Sequence, residues 1–233
     1  MKKNTMLCAA ALLAVSLNAA DSSPKDEVTA AAKKLGEKPN YSWKATVVVP
    51  EGGQFRPGPT EGKTEKDGFT HVTITFGDNT TQAVLKGENA AVTDPEGGWQ
   101  SLKDLDNAEG SRRFLGFFVR SIKTPAVQAA ELVDGAKNLK KDGEAYSSEL
   151  TEEGVKALLT FRRGGDGPTI SNAKGTVKFW VKDGVLAKFE FKVAGKVSFN
   201  GNDREIDRAT TIEIKEIGTT KVNVPDAAKK KLS

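Results

Sequence analysis

The stretch GTVKFWVKDGVLAKFEFKV, residues 175–193, decides the fold. Val177, Phe179 and Val181 alternate with Lys178, Trp180 and Lys182; after Asp183-Gly184, Phe189, Phe191 and Val193 alternate with Lys188, Glu190 and Lys192. A period of two puts one set of side chains on each face of a strand. Asp-Gly between two such runs favours the type I′ turn of a two-residue hairpin. The stretch therefore predicts two antiparallel strands with one apolar face and one lysine-rich face. The apolar face covers either an ordinary packed core or something the protein carries.

Strand signals extend in both directions from this hairpin. The inward parity continues to Phe199, Asn200-Gly201 marks another reversal, and Ile212 and Ile214 alternate with Glu213 and Lys215 over residues 210–217. A short end strand is predicted over residues 219–224. Toward the N-terminus, Trp43, Ala45, Val47 and Val49 share one side of residues 41–49. Val72, Ile74 and Phe76 alternate with His71, Thr73 and Thr75, and shorter strands are predicted at 82–86 and 90–93. Residues 51–62 read as a Gly/Pro-rich loop.

Helical signals fall between these segments. Ser23-Pro24-Lys25-Asp26 has the cap, first-turn proline and acidic third position of a helix start, and Val28, Ala31, Ala32 and Leu35 form its stripe up to Gly36. Residues 111–123 carry Phe114, Leu115, Phe117, Phe118, Val119 and Ile122. Thr124-Pro125 starts another helix, and Thr151 caps a third with Val155, Leu158 and Leu159 inward. A short helix near Asp226 ends in Lys229–Lys231. Strands, then helices, then strands with short reversals predict an α+β fold. Its antiparallel sheet has one solvated face and one face covered by the mid-chain helices.

The chain has 233 residues. Residues 1–20 read as a secretory signal: Lys2 and Lys3, a short apolar run, then Ala19-Ala20. Residues 21–233 are then expected to form a single exported domain, periplasmic or secreted. The sole cysteine, Cys8, lies within the signal and ahead of most of its apolar run, where no lipobox belongs. The mature chain would have no thiol, hence no disulfide and no cysteine metal site. Removing Lys2 and Lys3 from the formal +4 leaves +2, with both signs interspersed, which argues against a nucleic-acid face.

Motifs that resemble chemical sites fail on spacing or context. GPTEGKT, residues 58–64, is one residue short of a phosphate loop and lacks the strand and helix that frame one. His71 is the only histidine and sits on the threonine-rich side of a strand. In DLDNAEG, residues 104–110, Asp104 and Asp106 fit the first two offsets of a calcium loop, but Ala108 breaks the third and Leu115 stands where the final glutamate belongs. No catalytic residue, metal ligand or cofactor is assigned, and the chain is read as a non-enzyme.

What remains is the apolar surface. Phe117 and Val119 widen the stripe of residues 111–123 beyond what contact with one sheet needs. Burying a Phe or Ile contributes roughly 1.5–3 kcal/mol, so such a helix does not stay exposed. It either packs tightly on the sheet or forms the lid of a cleft for an apolar guest.

Four stretches resemble a known family: YSWKATVVV (41–49), GENAAVTDPEGGWQSL (87–102), the hairpin quoted above, and TTIEIKEIGTTKVNVP (210–225). In pattern and order they are similar to the Lol-type lipoprotein carriers and the LppX/LprG group of lipid carriers. The resemblance implies a curved, half-open antiparallel barrel whose concave face is covered by helices, with acyl chains held between. It implies a lining of Val72, Ile74, Phe76, Phe179, Phe189, Phe191, Phe199 and Ile212 from the sheet, and Phe114, Phe117 and Phe118 from the cover. It offers no catalytic residue and no identifiable cavity arginine. The expectation is a periplasmic carrier of a lipid or lipoprotein acyl chain, with a membrane or membrane protein as delivery partner and no nucleic acid. The alternative is an envelope protein-interaction or stress-sensor module of the same fold with a filled core.

Overall fold

The computed structural model describes residues 22–50, 58–94, 98–160, 167–199 and 201–232, and not the side chains of Phe76, Ser111 and Phe114. The predicted signal sequence and residues 51–57 of the predicted loop lie outside the described residues, as does Asn200. The chain runs through α1 (Pro24–Gly36), β1 (Asn40–Val48), β2 (Thr60–Glu65), β3 (Thr70–Phe76), β4 (Asn79–Lys86), β5 (Asn89–Thr93) and β6 (Trp99–Ser101). Helices α2 (Leu102–Asp106), α3 (Gly110–Arg120) and α4 (Pro125–Asp134) follow. Then come β7 (Lys140–Asp142), β8 (Ala145–Glu149), α5 (Glu152–Leu159), β9 (Thr169–Lys182), β10 (Val185–Phe199), β11 (Asn202–Lys215) and α6 (Asp226–Lys229).

The eleven strands form one sheet in the order β6-β5-β4-β3-β2-β1-β11-β10-β9-β8-β7. Every pairing is antiparallel, and the two ends, β6 and β7, do not meet, so the barrel is half-open. The hairpin at its centre forms as its sequence dictates. Asp183 (φ 53°) and Gly184 (φ 71°) are both left-handed, as a type I′ turn requires. Phe179 faces Phe189 and Val177 faces Phe191, with the first two rings 6.2 Å apart. An extra residue between Leu186 and Lys188 bulges β10, and Leu186 and Phe189 both remain fully buried.

The inner face is covered from two sides. α1 packs on α4 and on β9 and β10, and α5 packs on β9 and β10. α1 starts where Ser23 Oγ accepts the Asp26 N–H at 3.2 Å, and its Val28, Ala31, Ala32 and Leu35 are all buried. α5 starts where Thr151 Oγ1 accepts the Gly154 N–H at 3.0 Å. At the other end α2 and α3 lie against β5. The cover is thus shared by the mid-chain helices and the N-terminal helix. α6 packs on the outer face, where Ala228 joins Val84 and Ala91.

Two sequence expectations need correction. Residues 60–62 of the predicted loop belong instead to strand β2 (Thr60–Glu65), paired on both sides. Its sequence, TEGKTE, lacks large apolar side chains because the Trp43 indole lies across it: a Cβ on Gly62 would sit 2.1 Å from the ring. Residues 219–224 form no strand. Left-handed Glu216 (φ 50°) and Gly218 (φ 83°) turn the chain away after Lys215, the last residue of β11 to pair with β1. The segment then crosses the outer face, where the His71 Nδ1–H donates to the Asn223 carbonyl at 2.9 Å.

Candidate functional site

Where α1 ends and α4 begins, a cleft of about 910 Å³ opens over the inner face of the sheet. Five separate segments build it. The floor is the inner side of β1, β2, β3 and β4: Tyr41, Thr64, Thr70 and Leu85. The register pairs Tyr41 with Thr64, Thr64 with Thr70 and Thr70 with Leu85, so the four cross the sheet in one row. Ile122, Thr124, Ala126 and Val127, from the connection into α4 and its first turn, form one wall, and Gly36 at the end of α1 and Lys38 beyond it extend it. The β2–β3 and β4–β5 turns supply the opposite rim, with Lys66, Asp67, Glu88 and Asn89, and Leu232 closes one side. Val127 is half exposed at the mouth.

The floor combines apolar surface with buried hydroxyls. The Trp43 Nε1–H donates to Thr64 Oγ1 at 3.2 Å, and Thr70 Oγ1 donates to Thr64 Oγ1 at 3.4 Å. The Tyr41 hydroxyl bonds with the Thr124 and Thr64 side chains and the Ala126 backbone. Burial pushes its pKa above the ordinary 10.0, against the opposing pull of those bonds. Tyr41 is therefore neutral at physiological pH. A cleft of this size, with an apolar wall, few converging hydroxyls and a charged rim, suits an amphiphilic or apolar ligand.

The expected lining separates into three groups. Val72, Ile74, Phe179, Phe189 and Ile212 are at most 1% exposed and Phe191 is 4% exposed; all belong to the main core beneath α1, α4 and α5. Phe117 and Phe118 on α3 are half-buried. Phe117 lies under the Arg113 guanidinium, 5.9 Å from its ring, while Phe118 packs against both the main core and the smaller core of Ala83, Ala90, Val92, Leu105 and Val119. Phe199 is 38% exposed at the far end of β10. The side chains of Phe76 and Phe114 lie outside the description. None of the described members lines the cleft directly, but Val72 and Ile74 continue the same face of β3 inward from Thr70.

Tyr41, Leu85, Ala126 and Val127 carry no motif. Ile122 belongs to the apolar stripe of residues 111–123, and Val127 to the apolar positions of the helix that follows. Thr124-Pro125 signalled the helix start that places Ala126 and Val127.

The other chemical candidates have structural partners. His71 holds Asn223 with Nδ1, and its Nε2 lies 3.1 Å from Gln82 Oε1. Asp104 caps α2, accepting the Ser101 N–H at 2.9 Å and binding Lys231 at 3.0 Å; these bonds hold its carboxyl down at about 2. It borders a shallow polar recess of about 500 Å³ with Trp99, Gln100 and Arg112. Arg208, on the inner face of β11, donates to the Leu158 carbonyl at 3.0 Å near the end of α5, and burial lowers its pKa. Among the described residues no three His, Cys, Asp or Glu side chains converge on a metal-sized site, and no helix is long and apolar enough to cross a membrane.

No protein-family profile and no curated protein matches the sequence. Among solved structures the chain is similar to the Mycobacterium tuberculosis lipoprotein LppX, at 12% identity and TM-score 0.48, over 87% of this chain and 98% of that one. It is also similar to LprF from Mycobacterium bovis, at 9% identity and TM-score 0.46, over 88% of this chain and 97% of that one.

Proposed function

We propose that this protein is a non-catalytic, periplasmic binding protein for a lipid or acyl chain. The cleft over β1–β4, beside the start of α4, carries this reading. Its wall of Ile122, Ala126 and Val127 receives apolar surface, and the hydroxyls of Thr64, Thr70 and Tyr41 receive a carbonyl or hydroxyl of the same ligand. An acyl chain passing Ile122 meets Phe118, Val72 and Ile74 next, with Phe179, Phe189, Phe191 and Ile212 of the same core beyond. That passage requires α3 to move, because those side chains are closed over in the present state. Native mass spectrometry of gently purified protein and titration with a fluorescent fatty acid test the reading. A bound adduct or saturable binding is expected, with at least about tenfold weakening in Val127→Asp. Absence of both adduct and probe binding would sink it.

One observation favours a second reading. Val72, Ile74, Phe179, Phe189 and Ile212 are packed as a complete core. If the core never opens, the fold serves as an interaction or sensor module whose surface does the work. Hydrogen exchange separates the two readings: a carrier should protect or expose α3 amides on ligand addition, whereas a filled module should not respond.

A further inference from the structure

The geometry points to the outer face of β9 and β10 as a docking surface for an anionic lipid bilayer. Lys174, Lys178 and Lys182 of β9 and Lys188 and Lys192 of β10 project from this face, opposite the buried Val177, Phe179, Phe189 and Phe191. The register sets Lys188 against Trp180 and Lys192 against Thr176, so the five charges share one surface. Side chains on one face recur roughly every 7 Å along a strand and 5 Å across strands. Among the described residues, the helices pack elsewhere: α1 and α5 lie on the inner face of β9 and β10, and α6 lies on β5 and β6.

The charge is balanced only in part: Glu190 stands opposite Lys178, and Glu213 on β11 stands opposite Lys188 but pairs with Lys215. Elsewhere on the outer face lysines pair with acids: Lys44 with Glu61 at 2.9 Å, Lys215 with Glu213 at 3.1 Å, Lys196 with Asp203 at 2.6 Å. None of the five forms an ion pair among the described residues. Glu190 is the single acid among them on the two strands; Glu149 on neighbouring β8 is held by Lys137 at 2.9 Å, and Asp142 on β7 shares its short strand with Lys140. The half-buried Trp180 sits within the patch with Lys188 Nζ 4.7 Å from its ring.

Charge complementarity selects the occupant. Each lysine near an anionic bilayer contributes about 1 kcal/mol, and tryptophan prefers the headgroup level. A single-stranded nucleic acid would need several free aromatic faces for stacking. This face offers one, already covered by Lys188.

Flotation of the full chain with phosphatidylcholine vesicles, with and without phosphatidylglycerol, tests the proposal. Binding should require the anionic lipid and fall steeply with added salt. Lys178→Glu with Lys192→Glu should weaken it at least about thirtyfold, while Lys156→Glu on α5 should leave it unchanged. Circular dichroism confirms that each variant is folded. Equal binding to neutral vesicles, no binding to either, or equal losses in both variants would overturn the proposal. Tighter binding to a DNA or RNA oligonucleotide than to anionic vesicles would overturn it too and reassign the face to nucleic acid.

Discussion

Trp43 occupies the space that Gly62 leaves empty, and neither residue explains itself alone. The indole lies so close to the strand backbone that an added methyl has nowhere to go. Gly62→Ala is expected to destabilise the protein by roughly 1–3 kcal/mol or more, as overpacking does. Trp43→Phe in the same chain should recover part of that loss, which urea denaturation of the three variants would measure. Tyr146 gives a second prediction. Its hydroxyl donates to the Glu27 carboxylate, and that bond, with burial behind it, raises its pKa above 10.0. A folded-state pKa above the unfolded one means that the folded chain holds the proton more tightly. The resulting stability is complete below pH 10 and declines as pH rises through the folded value. Tyr41 adds to the same trend through burial. Tyr146→Phe should therefore flatten the alkaline fall in urea midpoint, and an unaltered pH profile would show that the Glu27 contact contributes nothing to it.

Elements with strong periodicity were legible in the sequence; elements held by neighbours were not. The hairpin of residues 175–193, the caps at Ser23 and Thr151, and the inward residues of β3 and β11 follow from local pattern and turn chemistry. β2 escaped notice because its inner positions, Thr60, Gly62 and Thr64, are small or polar and are completed by Trp43. The cleft escaped for a related reason: turn tips and a helix entry from five distant segments compose it, and no sequence period links them. The docking of α5 shows the same dependence on close approach. Gly175 lies beneath it, and a Cβ there would stand 2.6 Å from the Lys192 carbonyl oxygen and 3.0 Å from Val155 Cγ2. Gly175→Ala should cost more than Gly87→Ala, whose left-handed position (φ 58°) has open space and adds only backbone strain of about 1 kcal/mol. Equal unfolding midpoints for these two variants would contradict close packing of α5 against the hairpin.

Two apolar clusters share the concave side of this sheet, and the line between them coincides with the cleft. The larger joins α1, α4 and α5 to the central strands; the smaller joins α2 and α3 to β4 and β5. Leu85, Phe118 and Ile122 pack against both, and two of these three also line the cleft. Packed cores resist gradual deformation, so opening proceeds most easily where few side chains bridge two of them. A ligand that enters past Ile122 would then separate α3 and the β4–β5 turn from α4. Spin labels at Asn89→Cys and Val127→Cys, on opposite rims, report that separation, and Cys8→Ser removes the only other thiol. Addition of a fatty acid should broaden or lengthen the distance distribution between the labels. Saturable fatty-acid binding with an unchanged distribution would mean that the cleft accepts its ligand preformed, leaving Val72 and Ile74 in the core throughout.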